Sequence, residues 1–144
     1  MKTITLNFAA SEMPPFNNSN EEYIPGVCNI GKEEIKRRKN ATIFSLVLCI
    51  AVIGLFQWLQ VAPAWKLLLF IPAVFLGITF QQWYFKFCVA YGIKGMFNFE
   101  NIGEHFNIVD KESLRQDRIK AWTMVGYGVA FAAFAALAYY FLPL

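Results

Sequence analysis

Few residues in this 144-residue chain can do chemistry, and they are scattered. His105 is the single histidine, and one imidazole makes neither a bis-histidine haem site nor a His-rich metal site within one chain. Glu100, Glu104 and Asp110 lie near it in sequence, so a hairpin could crowd the four into an acid–base or metal cluster. The plainer reading is a histidine on a surface loop. Cys28 stands four residues before Lys32, and a thiol beside a cation at a helix start is a candidate for a lowered pKa; its plainer reading is a structural thiol. Cys28, Cys49 and Cys88 are odd in number and far apart, which fits neither a disulfide framework nor a zinc pattern. Phosphate-loop, hydrolase-elbow and zincin motifs do not occur, and the glycines of YGIKGMFNFENIG lack the strand–turn–helix spacing of a nucleotide site. The sequence therefore assigns no catalytic residue, no cofactor and no metal ligand.

Charge is concentrated elsewhere. Lys32, Lys36, Arg37, Arg38 and Lys39 fall within eight residues, and residues 41–65 then carry no charge at all. The chain is 57% hydrophobic and only 16% charged, against roughly 45–50% and roughly 25% in soluble domains. A soluble domain this small leaves too much surface exposed to hide so many apolar side chains. Lipid hides them without difficulty. The first 23 residues have no apolar h-region, so the first membrane span is expected to direct insertion in place of a cleaved signal.

Three uncharged runs, 41–65, 67–85 and 121–144, each approach the ~20 residues that cross ~30 Å of hydrocarbon. The expected fold is an all-α membrane protein with three transmembrane helices: a tight hairpin with spans near 41–62 and 67–88, then a third span at 121–144. Pro63 breaks the first two apart in a turn at 61–66, and Pro72 is expected to kink the second slightly. A small cytoplasmic cap containing short strands completes the chain, from residues 1–30, residues 92–120 and the helical collar that opens segment 31–91. The first helix is expected over 31–61, capped by Asn29 or Gly31 and braced by Glu33–Arg37 and Glu34–Arg38 pairs. Asp110 is the expected cap of a helix over 111–141. Alternation in TITLNF places Ile4, Leu6 and Phe8 on one face of a strand, and 96–99 with 105–109 reads as a hairpin.

Orientation follows from the basic residues. Of thirteen Lys and Arg, only Lys66 falls on the far side if the N-terminus is cytoplasmic, and only Lys66 falls on the cytoplasmic side if it is not. The positive-inside rule selects the first arrangement: a multi-pass membrane protein, N-terminus inside and C-terminus outside. Lys32, Lys36, Arg37, Arg38 and Lys39 are then a topology signal that also meets lipid headgroups.

The third span repeats small residues at helical spacing, with Ala121, Gly128 and Ala135 on one line and Gly128, Ala132 and Ala136 on another. Such faces let helix backbones approach closely. They serve either packing within the chain or contact with a partner or a second copy. Tyr127, Phe131, Phe134, Ala138 and Phe141 form a bulkier stripe suited to lipid.

The stretches PGVCNIGKEEIKRR and FCVAYGIKGMFNF resemble segments of small uncharacterised bacterial inner-membrane proteins with no known activity. The resemblance covers the approach to the first span and the exit of the second. It implies a bacterial inner (plasma) membrane setting and assigns no residue roles. The expected function is an accessory or structural subunit beside a larger membrane complex. A homo-oligomeric channel or transporter component is the alternative, and a membrane-bound enzyme a weaker one. Expected partners are membrane lipids and a larger membrane protein or the chain itself, with no nucleic acid.

Overall fold

A computed structural model describes residues 23–99 and 106–142. Helix α1, Lys32–Trp58, begins at Gly31 with Glu33 and Glu34 in its first turn, where carboxylates suit the positive end of the helix dipole. It stops where Gln60 takes a left-handed conformation (φ 48°) and Pro63 follows. The turn therefore occupies 59–62, slightly earlier than the sequence suggests, and Pro63 opens the short helix α2, Pro63–Lys66. At a first helical position proline gives up no hydrogen bond. A 3-10 turn, Leu67–Leu69, links α2 to α3, Phe70–Tyr84. Pro72 has no N–H to offer the carbonyl four residues back, and the chain winds more tightly just before it. Pro63–Tyr84 still forms one apolar unit of 22 residues.

The helix of the second apolar run ends at Tyr84, short of the 88 expected for the span, because Lys86 adopts a positive φ of 52° and turns the chain. Helix α4, Val89–Lys94, then closes on Gly95. Strands β1, Met96–Phe97, and β2, Phe106–Asn107, pair antiparallel with Phe97 opposite Phe106. The expected hairpin is present in reduced form; the expected strand at Ile4, Leu6 and Phe8 lies outside the described residues. Asp110 caps α5, Lys111–Phe141, accepting from the Ser113 N–H at 2.9 Å. At 1.5 Å per residue α1 and α5 are about 40 and about 46 Å long, longer than a hydrocarbon core. Among the described residues three helices are thus long and apolar enough to cross a membrane.

Helix α3 lies between the other two and approaches both closely. Its Gly77 meets Gly128 of α5 so tightly that a Cβ on Gly77 would stand 3.2 Å from the Gly128 Cα. One on Gly128 would stand 2.7 Å from Ile78 Cγ1. Gln81 adds a side-chain bond across this seam, Nε2 donating to the Met124 carbonyl at 3.0 Å. Ala121, Met124, Gly128, Ala132 and Ala136 are buried on this face, with Ala135 at its edge. On α1 the buried face is Thr42, Ser45 and Cys49. Both hydroxyls are satisfied within the helix, by the Arg38 and Ala41 carbonyls, so short side chains sit at a close helix contact with no orphaned polar atom. Helices α1 and α5 meet near the turn end, where Tyr139 joins Cys49, Ile53 and Leu69. Lys66 is buried there, its Nζ 3.4 Å from the Leu142 carbonyl and 5.2 Å from the Tyr139 ring centre.

Candidate functional site

The basic end of the bundle holds a knot of buried polar side chains, built mostly from the two stretches PGVCNIGKEEIKRR and FCVAYGIKGMFNF. Asn29 is fully buried and was expected at most to cap α1. Its side chain instead grips the backbone of Cys88. Oδ1 accepts from the Cys88 N–H at 2.6 Å, and Nδ2 donates to the Cys88 carbonyl at 3.1 Å. The Asn29 carbonyl accepts from Asn98 N, and the Asn98 carbonyl from Gly31 N at 2.7 Å. A side chain on Gly31 would collide with the Phe99 backbone, since its Cβ would stand 2.9 Å from the Phe99 Cα. Glycine at this position is what lets the two strands of chain touch.

Glu34 continues the knot on the first turn of α1. It is 2% exposed and lies 3.5 Å from Arg38 Nη2 and 3.9 Å from Arg37. The Tyr91 hydroxyl donates to it at 3.4 Å. Burial, and then the Glu34 charge, raise the Tyr91 pKa. Arg38 also donates to the Cys88 sulfur at 3.1 Å. Of the five collar cations, Lys32, Lys36, Arg37 and Lys39 are exposed, whereas Arg38 turns inward to Glu34 and Cys88. Its role in the fold is thus internal pairing, because a buried carboxylate requires a cation beside it.

A second polar centre faces the first from α5. Asp117 is fully buried and accepts from the Gly26 N–H at 2.7 Å and the Tyr23 hydroxyl at 3.0 Å. Burial raises the Asp117 pKa, and these two hydrogen bonds oppose the rise. Burial, then the Asp117 charge, push the Tyr23 phenol far upward. Tyr23 also stacks on Phe97, with ring centres 4.8 Å apart. Segment 23–31 is therefore fastened to α5, β1 and the α3–α4 link at once.

Among the described residues the candidate groups are not brought together. Cys28 shares its thiol with the Ile30 carbonyl at 3.6 Å in a turn ahead of α1. Cys88 and Asn29 have no exposed surface for a substrate to reach. Glu100, Glu104 and His105 lie outside the described residues, and Asp110 serves as a helix cap. Among the described residues no three His, Cys, Asp or Glu side chains are grouped to hold a metal. The arrangement locks loops to helix ends, which is structural work.

Sequence reasoning missed Asn29, Cys88, Asn98 and Asp117. Asp117 had a signal: it precedes Ala121 by one turn and lies on the same buried face as Met124 and Gly128. Asn29 and Cys88 had no local signal, since their partnership joins residues 59 apart. No protein-family model, curated protein or solved structure matches the chain.

Proposed function

We propose that the protein is an accessory subunit of a bacterial inner membrane, basic end in the cytoplasm, that packs beside a larger membrane protein. The support is the openness of the helix layer. Helix α3 is covered on two sides, but α1 buries only 17% of its most apolar window. Its outward face runs through Phe44, Val47, Ile50, Leu55 and Trp58, all at least 47% exposed. Gly54 stands on the same side, where a Cβ would meet nothing among the described residues within 4 Å. A helix with one free apolar side packs equally on lipid or on a partner helix, and an open notch in it favours a helix.

The small-residue face of α5 gives no support to this reading, because Gly77 and Ile78 of the same chain occupy it. The supporting face is on α1 instead. The outward residues there are bulky and apolar, which suits packing better than the lining of an aqueous pore.

Extraction in polymer nanodiscs, followed by native mass measurement, tests the proposal. The protein is expected in a stoichiometric complex with a larger chain, and Gly54→Trp is expected to release it as an intact monomer. A lone monomer, or a ring of identical chains, from the unsubstituted protein would overturn the reading.

A further inference from the structure

The collar on α1 is not the molecule's only cationic surface. Lys111, Arg115, Arg118 and Trp122 follow one another at spacings of four, three and four residues, which places them on one face of α5. The row is about 16 Å long and runs from the helix start to the first turn of the apolar segment. Its upper end is apolar: Trp122 is 62% and Ile119 55% exposed.

The cations on this face are lightly used. Arg115 lies 3.6 Å from Glu112, but both side chains are well exposed, and such pairs hold little energy. Arg118 donates Nε to the Ile93 carbonyl at 3.4 Å, one of its five N–H donors. The other acid on this stretch, Asp117, points into the core toward Tyr23 and Gly26. Among the described residues the outward row thus carries three cations beside two exposed carboxylates, Glu112 and the cap Asp110, the latter already held by Ser113, directly below an indole and an isoleucine.

We propose that this row binds the headgroup of an anionic phospholipid in the leaflet facing the basic end. Arginine forks match phosphate oxygens in pairs. Trp122 marks the depth at which amphipathic rings settle between headgroups and acyl chains. The same face therefore offers charge at headgroup height and apolar surface at acyl height, which is the profile of a phospholipid and not of a soluble anion. The inference rests on the membrane placement proposed above.

Native mass spectrometry of the full-length protein, titrated with phosphatidylglycerol or phosphatidylcholine in mild detergent, tests it. Phosphatidylglycerol is expected to bind tighter than phosphatidylcholine. Lys111→Gln with Arg115→Gln, both on exposed side chains, is expected to weaken the phosphatidylglycerol step by roughly 20- to 30-fold, at about 1 kcal/mol per charge. Lys86→Gln, at an exposed cation off this row, is expected to leave that step in place. Equal phosphatidylglycerol binding by the α5 variant would overturn the site. So would loss of a co-purifying acidic protein with lipid binding unchanged. Release of the unsubstituted protein from membranes by alkaline carbonate would instead overturn the membrane placement itself.

Discussion

Asn29→Ala removes the grip on Cys88, and the structure allows its effect to be worked out. The Cys88 N–H loses its acceptor at 2.6 Å inside a site with no exposed surface. An orphaned buried donor costs about 1–3 kcal/mol. The Cys88 carbonyl loses the Asn29 Nδ2 bond but keeps the Gly92 N–H at 2.9 Å, so its share is nearer about 1 kcal/mol. The sum is about 2–4 kcal/mol, a large part of the ~5–15 kcal/mol that typically holds a domain. Cys88 supplies the assay, because its thiol reacts only when the knot opens. In a Cys28→Ser, Cys49→Ala background, maleimide labelling of Cys88 is expected to accelerate about 30- to 700-fold in Asn29→Ala, at tenfold per 1.4 kcal/mol. Fast labelling in the unsubstituted knot, or an unchanged rate in the variant, would refute the role assigned to Asn29.

Three further outcomes are expected. Gly128→Ala should destabilise the purified protein by about 1–3 kcal/mol through overpacking against Ile78, while Phe134→Leu at a 75% exposed site should leave its melting temperature unchanged. Burial raises the Asp117 pKa above its unfolded value, so this group's contribution is complete below the usual carboxylate range and fades as pH rises through the folded pKa. Asp117→Asn keeps an acceptor for Gly26 and should match or exceed wild-type stability at neutral pH with a flatter pH profile; a markedly lower melting temperature there would show that the site needs the carboxylate. Lys66→Met should lower the melting temperature by a few degrees, since it removes a contact with Tyr139 and the Leu142 carbonyl worth about 1–2 kcal/mol, and an unchanged melt would count against that clamp.

The helices were legible because they depend on local pattern. Asp110 capped α5 as expected, and its bounds, Lys111–Phe141, match the expected 111–141. Pro63 separated the first two apolar units, because proline acts on its immediate neighbours whatever the tertiary context. The end of α3 was not legible: residues 85–88 remain apolar apart from Lys86, and only the left-handed turn at Lys86 interrupts the run. The inward turn of Arg38 was hidden too. Five neighbouring cations look alike in sequence, and only the burial of Glu34 one turn earlier and of Cys88 fifty residues later distinguishes this one. The small face of α5 was visible, but its partner was not, because Gly77 lies in an apolar run where nothing in its neighbourhood marks it as half of a contact.

Every functional inference above depends on three crossings with the basic end inside. Single cysteines at Lys36 and Gln60 in a cysteine-free background, with a reporter fused after Leu144, test this directly in intact cells. Gln60 lies in the turn between α1 and α2, and Lys36 is exposed on the first turns of α1. Labelling by an impermeant maleimide is expected at 60 and not at 36, with the reporter active only outside the cytoplasm. Labelling at 36 but not at 60, with the reporter active inside, would contradict the account.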